Sequence, residues 1–163
     1  MIIPKKYIKM RQNLKYNSVS LGSMEVYIFK VQELEKAQIG YSVDISGNSL
    51  TGKNSGDWAE NWLVIGYESL CEDPFLIDVK NGKYSVYMAI HGEGNWEPTL
   101  IADSFEKFIK NIECIKDIST GRENPVKLEN NPISEVEKKK ILKKIIKNDP
   151  KTDVSFWEFW LDL

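Results

Sequence analysis

Between Trp58 and Ile109 the chain reads WAENWLVIGY ESLCEDPFLI DVKNGKYSVY MAIHGEGNWE PTLIADSFEK FI. Apolar words alternate here with turn words. Trp62-Leu63-Val64-Ile65-Gly66-Tyr67 is almost continuously apolar, which predicts a strand covered on both faces. Glu68 to Pro74 is a polar turn, and Phe75 to Val79 is the next strand. Asn81-Gly82 lies between two strand-like runs and predicts a type I′ hairpin turn, since both residues tolerate positive φ. The returning strand places Tyr84, Val86, Met88 and Ile90 on one face and Ser85, Tyr87 and Ala89 on the other. The stretch ends in a strand end and a helix. Asp103 is its expected N-cap, Glu106 the capping-box partner, and Phe105, Phe108, Ile109 and Ile112 the buried stripe.

Working outward toward the N-terminus, Ser46 to Asp57 is rich in Gly, Asn and Ser and reads as a surface loop. Val31 to Ala37 reads as a short helix, and Glu25 to Phe29 as a strand. Asn17 to Ser23 is a turn-rich link. Pro4 suits the first turn of a short helix carrying Tyr7, Ile8, Arg11 and Leu14. Toward the C-terminus, Ser134 and Glu137 form a capping box. The helix behind it turns Val136, Ile141, Leu142, Ile145 and Ile146 inward and six lysines outward, from Lys138 to Lys147, until Asp149-Pro150 stops it. Residues 154–161 are strongly aromatic and are expected to dock on the body. The fold class is therefore α+β, one largely antiparallel sheet flanked by helices, with an extra C-terminal helical segment. A length of 163 residues suits a single domain spanning 1–163.

Composition narrows the function. Hydrophobic residues make up 42% and charged residues 28%, a globular balance. No apolar run approaches the ~20 residues of a membrane helix. The segment Met1 to Lys6 lacks the apolar core of a secretory signal. Cys71 and Cys114 have no metal-like spacing and read as free thiols. These features point to the cytoplasm. Gly52-Lys53 does not complete the phosphate-loop pattern G-x-x-x-x-G-K-[ST], because Asn54 stands where Ser or Thr is required. His91, the single histidine, reads as a strand-end residue in a glycine turn rather than a general base. No catalytic constellation, metal set or cofactor motif emerges, and the expectation is a binding protein, not an enzyme.

Charge is unevenly distributed. From Asp57 to Glu106 ten acids face two bases, Lys80 and Lys83, a local charge of −8 in a chain of net charge −2. Such segregation bears on steering and partner choice more than on fold. It disfavours nucleic acid as a partner for this block, and the lysines of the C-terminal helix read as a solvated outer face. The residues expected to contact a partner are Asp57, Glu60, Glu68, Glu72, Asp73, Glu93 and Glu97.

The order of the words carries a resemblance. Trp62-Leu63-Val64-Ile65-Gly66, Pro74-Phe75-Leu76-Ile77-Asp78, Val86-Tyr87, His91-Gly92 with Trp96, and Ile101 to Ile109 follow one another as they do in the SUKH superfamily. That superfamily is named after a yeast cell-wall-synthesis regulator and its bacterial relatives. Ile3-Pro4-Lys5-Lys6-Tyr7 is similar to the family's short Pro-x-x-Tyr helix. The resemblance covers residues 3–115. The basic helix and aromatic end at 120–163 fall outside it, and many members carry a helix before the Pro-x-x-Tyr word, whereas this sequence starts almost on that word. What the resemblance implies is a bacterial immunity protein that binds and neutralises a cognate polymorphic toxin domain. A basic, nucleic-acid-cleaving toxin suits the acidic block. The alternative within the superfamily is an intracellular regulatory or scaffolding module.

Overall fold

The computed structural model describes residues 3–163; Met1 and Ile2, the first residues of the segment inspected for a leader, lie outside the described residues. In chain order the elements are α1 (Lys5–Gln12), β1 (Ser18–Leu21), β2 (Met24–Ile28), two 3-10 turns (Val31–Glu33 and Lys36–Gln38), β3 (Trp62–Glu68), β4 (Pro74–Asp78), β5 (Val86–Met88), β6 (Thr99–Ala102), α2 (Phe105–Ser119), α3 (Pro125–Asn130), α4 (Glu135–Asn148) and α5 (Ser155–Asp162). The strands form one sheet in the order β1-β2-β3-β4-β5-β6. Every neighbouring pair is antiparallel. The fold is α+β, with a six-stranded meander and helices that include the C-terminal one.

The sheet buries both faces. One carries the main core, where Leu63, Ile65, Phe75, Ile77 and Val86 meet Phe105, Phe108 and Ile112 of α2, Ile141 and Ile145 of α4, and Phe156, Trp157 and Trp160 of α5. The other carries Val64, Leu76 and Ala89 beneath Trp58. The double cover predicted for Trp62 to Tyr67 is present, and on this second face it comes from the long β2–β3 connection. The aromatic C-terminus docks as expected. Trp157 Nε1 donates to Thr152 Oγ1 (3.0 Å) and to the Ile101 carbonyl (3.3 Å), and Asp153 N donates to the Leu100 carbonyl (3.0 Å), so this segment covers the β6 edge.

Several local expectations are corrected. Asn17 to Ser23 is not only a link. Val19 and Leu21 alternate inward as β1, and Gly22 at φ 59 with Ser23 makes a two-residue turn into β2. The segment 31–37 is two short 3-10 turns rather than a helix. Asn81-Gly82 is not a type I′ turn, since neither residue has positive φ and Tyr84 has it instead (φ 55). Side-chain bonding wins there: Asp78 Oδ1 accepts from Lys80 N (2.9 Å) and Asn81 Oδ1 from Lys83 N (3.0 Å), which spreads the connection over several residues.

The N-cap of α2 is Ser104, not Asp103. Asp103 is drawn away by Lys83, Lys107 and Lys151. On α4 the capping box of Ser134 and Glu137 holds. Val136 and Ile146 are exposed, however, because only the Ile141–Ile145 strip meets α2 and α5, and Ile90 is exposed beyond the end of β5. The short helix α3, capped by Asn124 with Pro125 at its first position, went unread in the sequence.

Two substitutions test this packing in opposite directions. A Cβ at Gly66 would collide with the Tyr27 carbonyl oxygen on β2, so Gly66→Ala is expected to cost about 2–3 kcal/mol by forcing the central strands apart. Asn111 is fully buried on α2 with neither amide atom hydrogen-bonded. Asn111→Leu is expected to stabilise by about 1 kcal/mol. Urea midpoints moving left and right respectively are the readout; a Gly66→Ala midpoint equal to wild type contradicts the close approach.

Candidate partner-binding face

In an up-and-down meander, alternate turns open at the same end of the sheet. The β3–β4 turn (69–73) and the β5–β6 loop (89–98) share one such end. Glu68 organises the first. It is only 4% exposed, and its carboxylate accepts from Leu70 N (2.8 Å), Cys71 N (2.8 Å) and Asp73 N (3.0 Å). Three backbone donors on one carboxylate fix the turn and leave Glu72 at φ 60 with its side chain exposed.

Asp73, 7% exposed, ties this turn to the second loop. Its Oδ1 accepts from His91 N (2.8 Å) and lies 3.2 Å from His91 Nδ1. His91 Nε2 stands 2.8 Å from the Tyr41 hydroxyl. Asp73 as acceptor fixes the imidazole proton on Nδ1, so Nε2 accepts from Tyr41. The chain Asp73–His91–Tyr41 therefore joins three loops distant in sequence. Around it the rings of Tyr41, Trp58 and Trp96 stand 5.1 to 5.7 Å apart, centroid to centroid. Burial, with the nearby carboxylates of Asp73 and Glu72, pushes the Tyr41 phenol up to about 12.

The expected contact residues divide. Glu68 and Asp73 are not surface groups; both are buried, Glu68 with both carboxylate oxygens and Asp73 with Oδ1 hydrogen-bonded, so neither presents the open carboxylate expected of a contact residue. Glu72, Glu93 and Glu97 are exposed on the two connections, and Asn95 Nδ2 donates to Glu97 Oε1 (2.6 Å). Asp57 is half-buried and accepts from Asn54 N (2.8 Å). The β2–β3 connection brings it close to the second loop, where Trp96 N donates to the Gly56 carbonyl (2.8 Å). Glu60 is exposed but precedes the first residue of β3. It follows Trp58, whose ring stands 5.1 Å from that of Trp96 on the second loop.

The ligand atoms of Glu68, Cys71 and Asp73 lie within 4.8 Å of one another. Backbone N–H donors explain the approach of the two carboxylates, Glu68 being directed at the N–H groups of the turn and Asp73 Oδ1 at His91 N. The residues missed in the sequence are Tyr41, Trp58 and Trp96, which gather round His91. Their available signal was aromatic residues bordering loops rather than strand centres. The exposed lysines of α4 belong to the helical layer, on the other face of the sheet from Trp58. Among the described residues, no helix is long and apolar enough to cross a membrane.

Residues 3–111, from the start of α1 to the middle of α2, match the SMI1 / KNR4 family (SUKH-1). The match covers more than half of the chain, and the chain belongs to this family. It takes in all six strands and both acidic turns, and leaves α3, α4 and α5 beyond it. Comparison with curated proteins and with solved structures returns no match. Membership is consistent with an immunity role, and the family implies binding to a protein partner.

The Tyr41 environment is open to direct measurement. The raised phenol pKa means that the fold favours the protonated form. This stabilisation is complete below the ordinary phenol value of 10.0 and is lost as pH rises through about 12. Subtracting the alkaline ultraviolet titration of Tyr41→Phe from that of wild type is expected to isolate one phenol ionising near 12. In Asp73→Asn most of the shift is expected to remain, since burial is its main cause; a Tyr41 phenol titrating near 10 contradicts the packing described.

Proposed function

We propose that this chain is an immunity protein that binds and neutralises a cognate polymorphic toxin domain, a nuclease, in the bacterial cytoplasm. The observation that carries the reading is the set of exposed carboxylates, Glu72, Glu93 and Glu97, with Asp57 beside them, held at one end of a SUKH-1 sheet. Two features support it. The backbone of the first turn is fixed by buried Glu68 and Asp73, so the outward charges are presented on a preorganised surface. A domain that holds phosphates is basic, and an acidic face meets it through steering and charge complementarity. Glu60, exposed three residues beyond Asp57, belongs to the same reading. On this view the chain acts as one domain over residues 1–163, by occlusion, with neither catalysis nor a cofactor, and touches neither membrane nor nucleic acid.

The test is binding to the toxin domain encoded in the adjacent gene. Wild type is expected to form a complex at or below micromolar concentration and to protect cells on co-expression. Reversal of Glu72, Glu93 and Glu97 to lysine is expected to slow association by about tenfold or more at low salt, with the thermal midpoint held because these side chains are exposed. Absence of both complex and protection would falsify the reading.

A further inference from the structure

The outer face of β2 and β3 carries rings that the acidic turns do not use. On β2, alternation buries Met24, Val26 and Ile28 and turns Glu25 and Tyr27 outward. On β3 the register shifts between Val64 and Gly66. That bulge resets the alternation, so Tyr67 joins Val64 on the outer face, opposite its cross-strand partner Tyr27. The Tyr27 and Tyr67 ring centroids are 5.5 Å apart, and Phe29 stands 5.6 Å from Tyr67. Tyr41 forms another wall. Between these walls is a groove of about 310 Å³ with Val64 and Gly66 beneath it.

The groove is acidic. Glu72 lines it, and Glu33 accepts the Tyr27 hydroxyl (3.0 Å). Burial, followed by Glu25, Glu72 and Glu33, raises the Tyr67 phenol, so all three carboxylates act on one ring. Glu72 reaches the groove from a backbone at φ 60. Glycine would occupy that conformation without strain, and a side chain kept there points to a use. Lys36 also lines the groove, is exposed, and has no carboxylate within salt-bridge distance among the described residues.

We propose that this groove receives an arginine side chain of the protein partner, its guanidinium stacked on Tyr67 and Tyr41 and paired with Glu72. The inference rests on the immunity reading for the partner's being a basic protein. Flat aromatic walls match a planar, delocalised cation better than a compact, strongly hydrated ammonium. The carboxylates repel phosphate, which excludes a nucleic-acid strand as the occupant. Lys36 is the resident competitor and swings out when the guanidinium enters.

The first test uses the blocked peptide acetyl-Gly-Arg-Gly-amide and its citrulline isostere, titrated into the full chain and followed by amide NMR. Saturable shifts at Tyr41, Gly66, Tyr67 and Glu72 are expected with arginine and not with citrulline. Tyr67→Ala and Glu72→Gln are expected to weaken binding about tenfold, Tyr67→Phe to retain it, and Lys36→Ala to strengthen it. Equal shifts with citrulline, or shifts confined to other surfaces, overturn the groove. The second test uses the adjacent toxin domain, where Tyr67→Ala is expected to raise Kd on the order of 30-fold. If reversal of Glu93 and Glu97 weakens that complex while Tyr67→Ala leaves it intact, the groove proposal falls and the immunity reading stands. If the arginine peptide binds as described and no toxin complex forms, the immunity reading falls and the groove stands.

Discussion

A strand buried on both faces has to satisfy two packing problems with one backbone, and β3 is that strand. Leu63 and Ile65 fill the main core, while Val64 packs under Trp58 on the opposite face. Strict alternation would carry that pattern to the strand's end. The register shift after Val64 interrupts it, and Gly66 lets the backbone approach β2 where no Cβ fits. From this follow the outward turn of Tyr67, the space over Gly66, and the return of Glu68 to the interior, where it gathers three N–H groups and sets the next turn. One unpaired step in the middle of the sheet thus determines what both its outer face and its end present.

The acidic residues separate into two kinds that charge counting cannot distinguish. Glu68 and Asp73 are interior carboxylates whose partners are backbone donors and a histidine. Burying such groups is tolerable only because those hydrogen bonds replace water. Glu72, between them, bears the strained backbone and the solvent-facing charge. The buried pair confers shape and the exposed residues confer potential. The density of acids in this short turn reflects the two needs together.

Much of the architecture was legible in the sequence. The apolar words at 62–67 and 75–79 marked two strands, and helical spacing marked α2 and α4. The aromatic run after Pro150 announced a docking segment. The failures have physical causes. At four residues β1 is too short for alternation to stand out, and its turn offers only Gly22-Ser23. At Asn81-Gly82 the dipeptide preference lost to side-chain bonds from Asp78 and Asn81, which moved the positive φ to Tyr84. Of the candidate site, the acids were legible as a block but their depth was not, since burial of Asp73 depends on His91, far along the chain. Tyr41 was hidden for the same reason. A bulge leaves little trace in sequence beyond a glycine in an apolar run, and a strand glycine serves equally to admit a close backbone neighbour or a sharp bend.

The covering of the β6 edge by residues 152–161 ties the timing of folding to chain order. The sheet runs sequentially from β1 to β6, so its strands can pair as they emerge during synthesis. Its last strand stays open along one side, however, until Asp153 reaches Leu100 and Trp157 reaches Ile101. A nascent chain halted before this point exposes an unpaired edge and a core missing Phe156, Trp157 and Trp160, the combination that recruits chaperones or other chains. Completion of the C-terminal helix therefore closes both at once: the same segment covers the β6 edge and fills the core beside it.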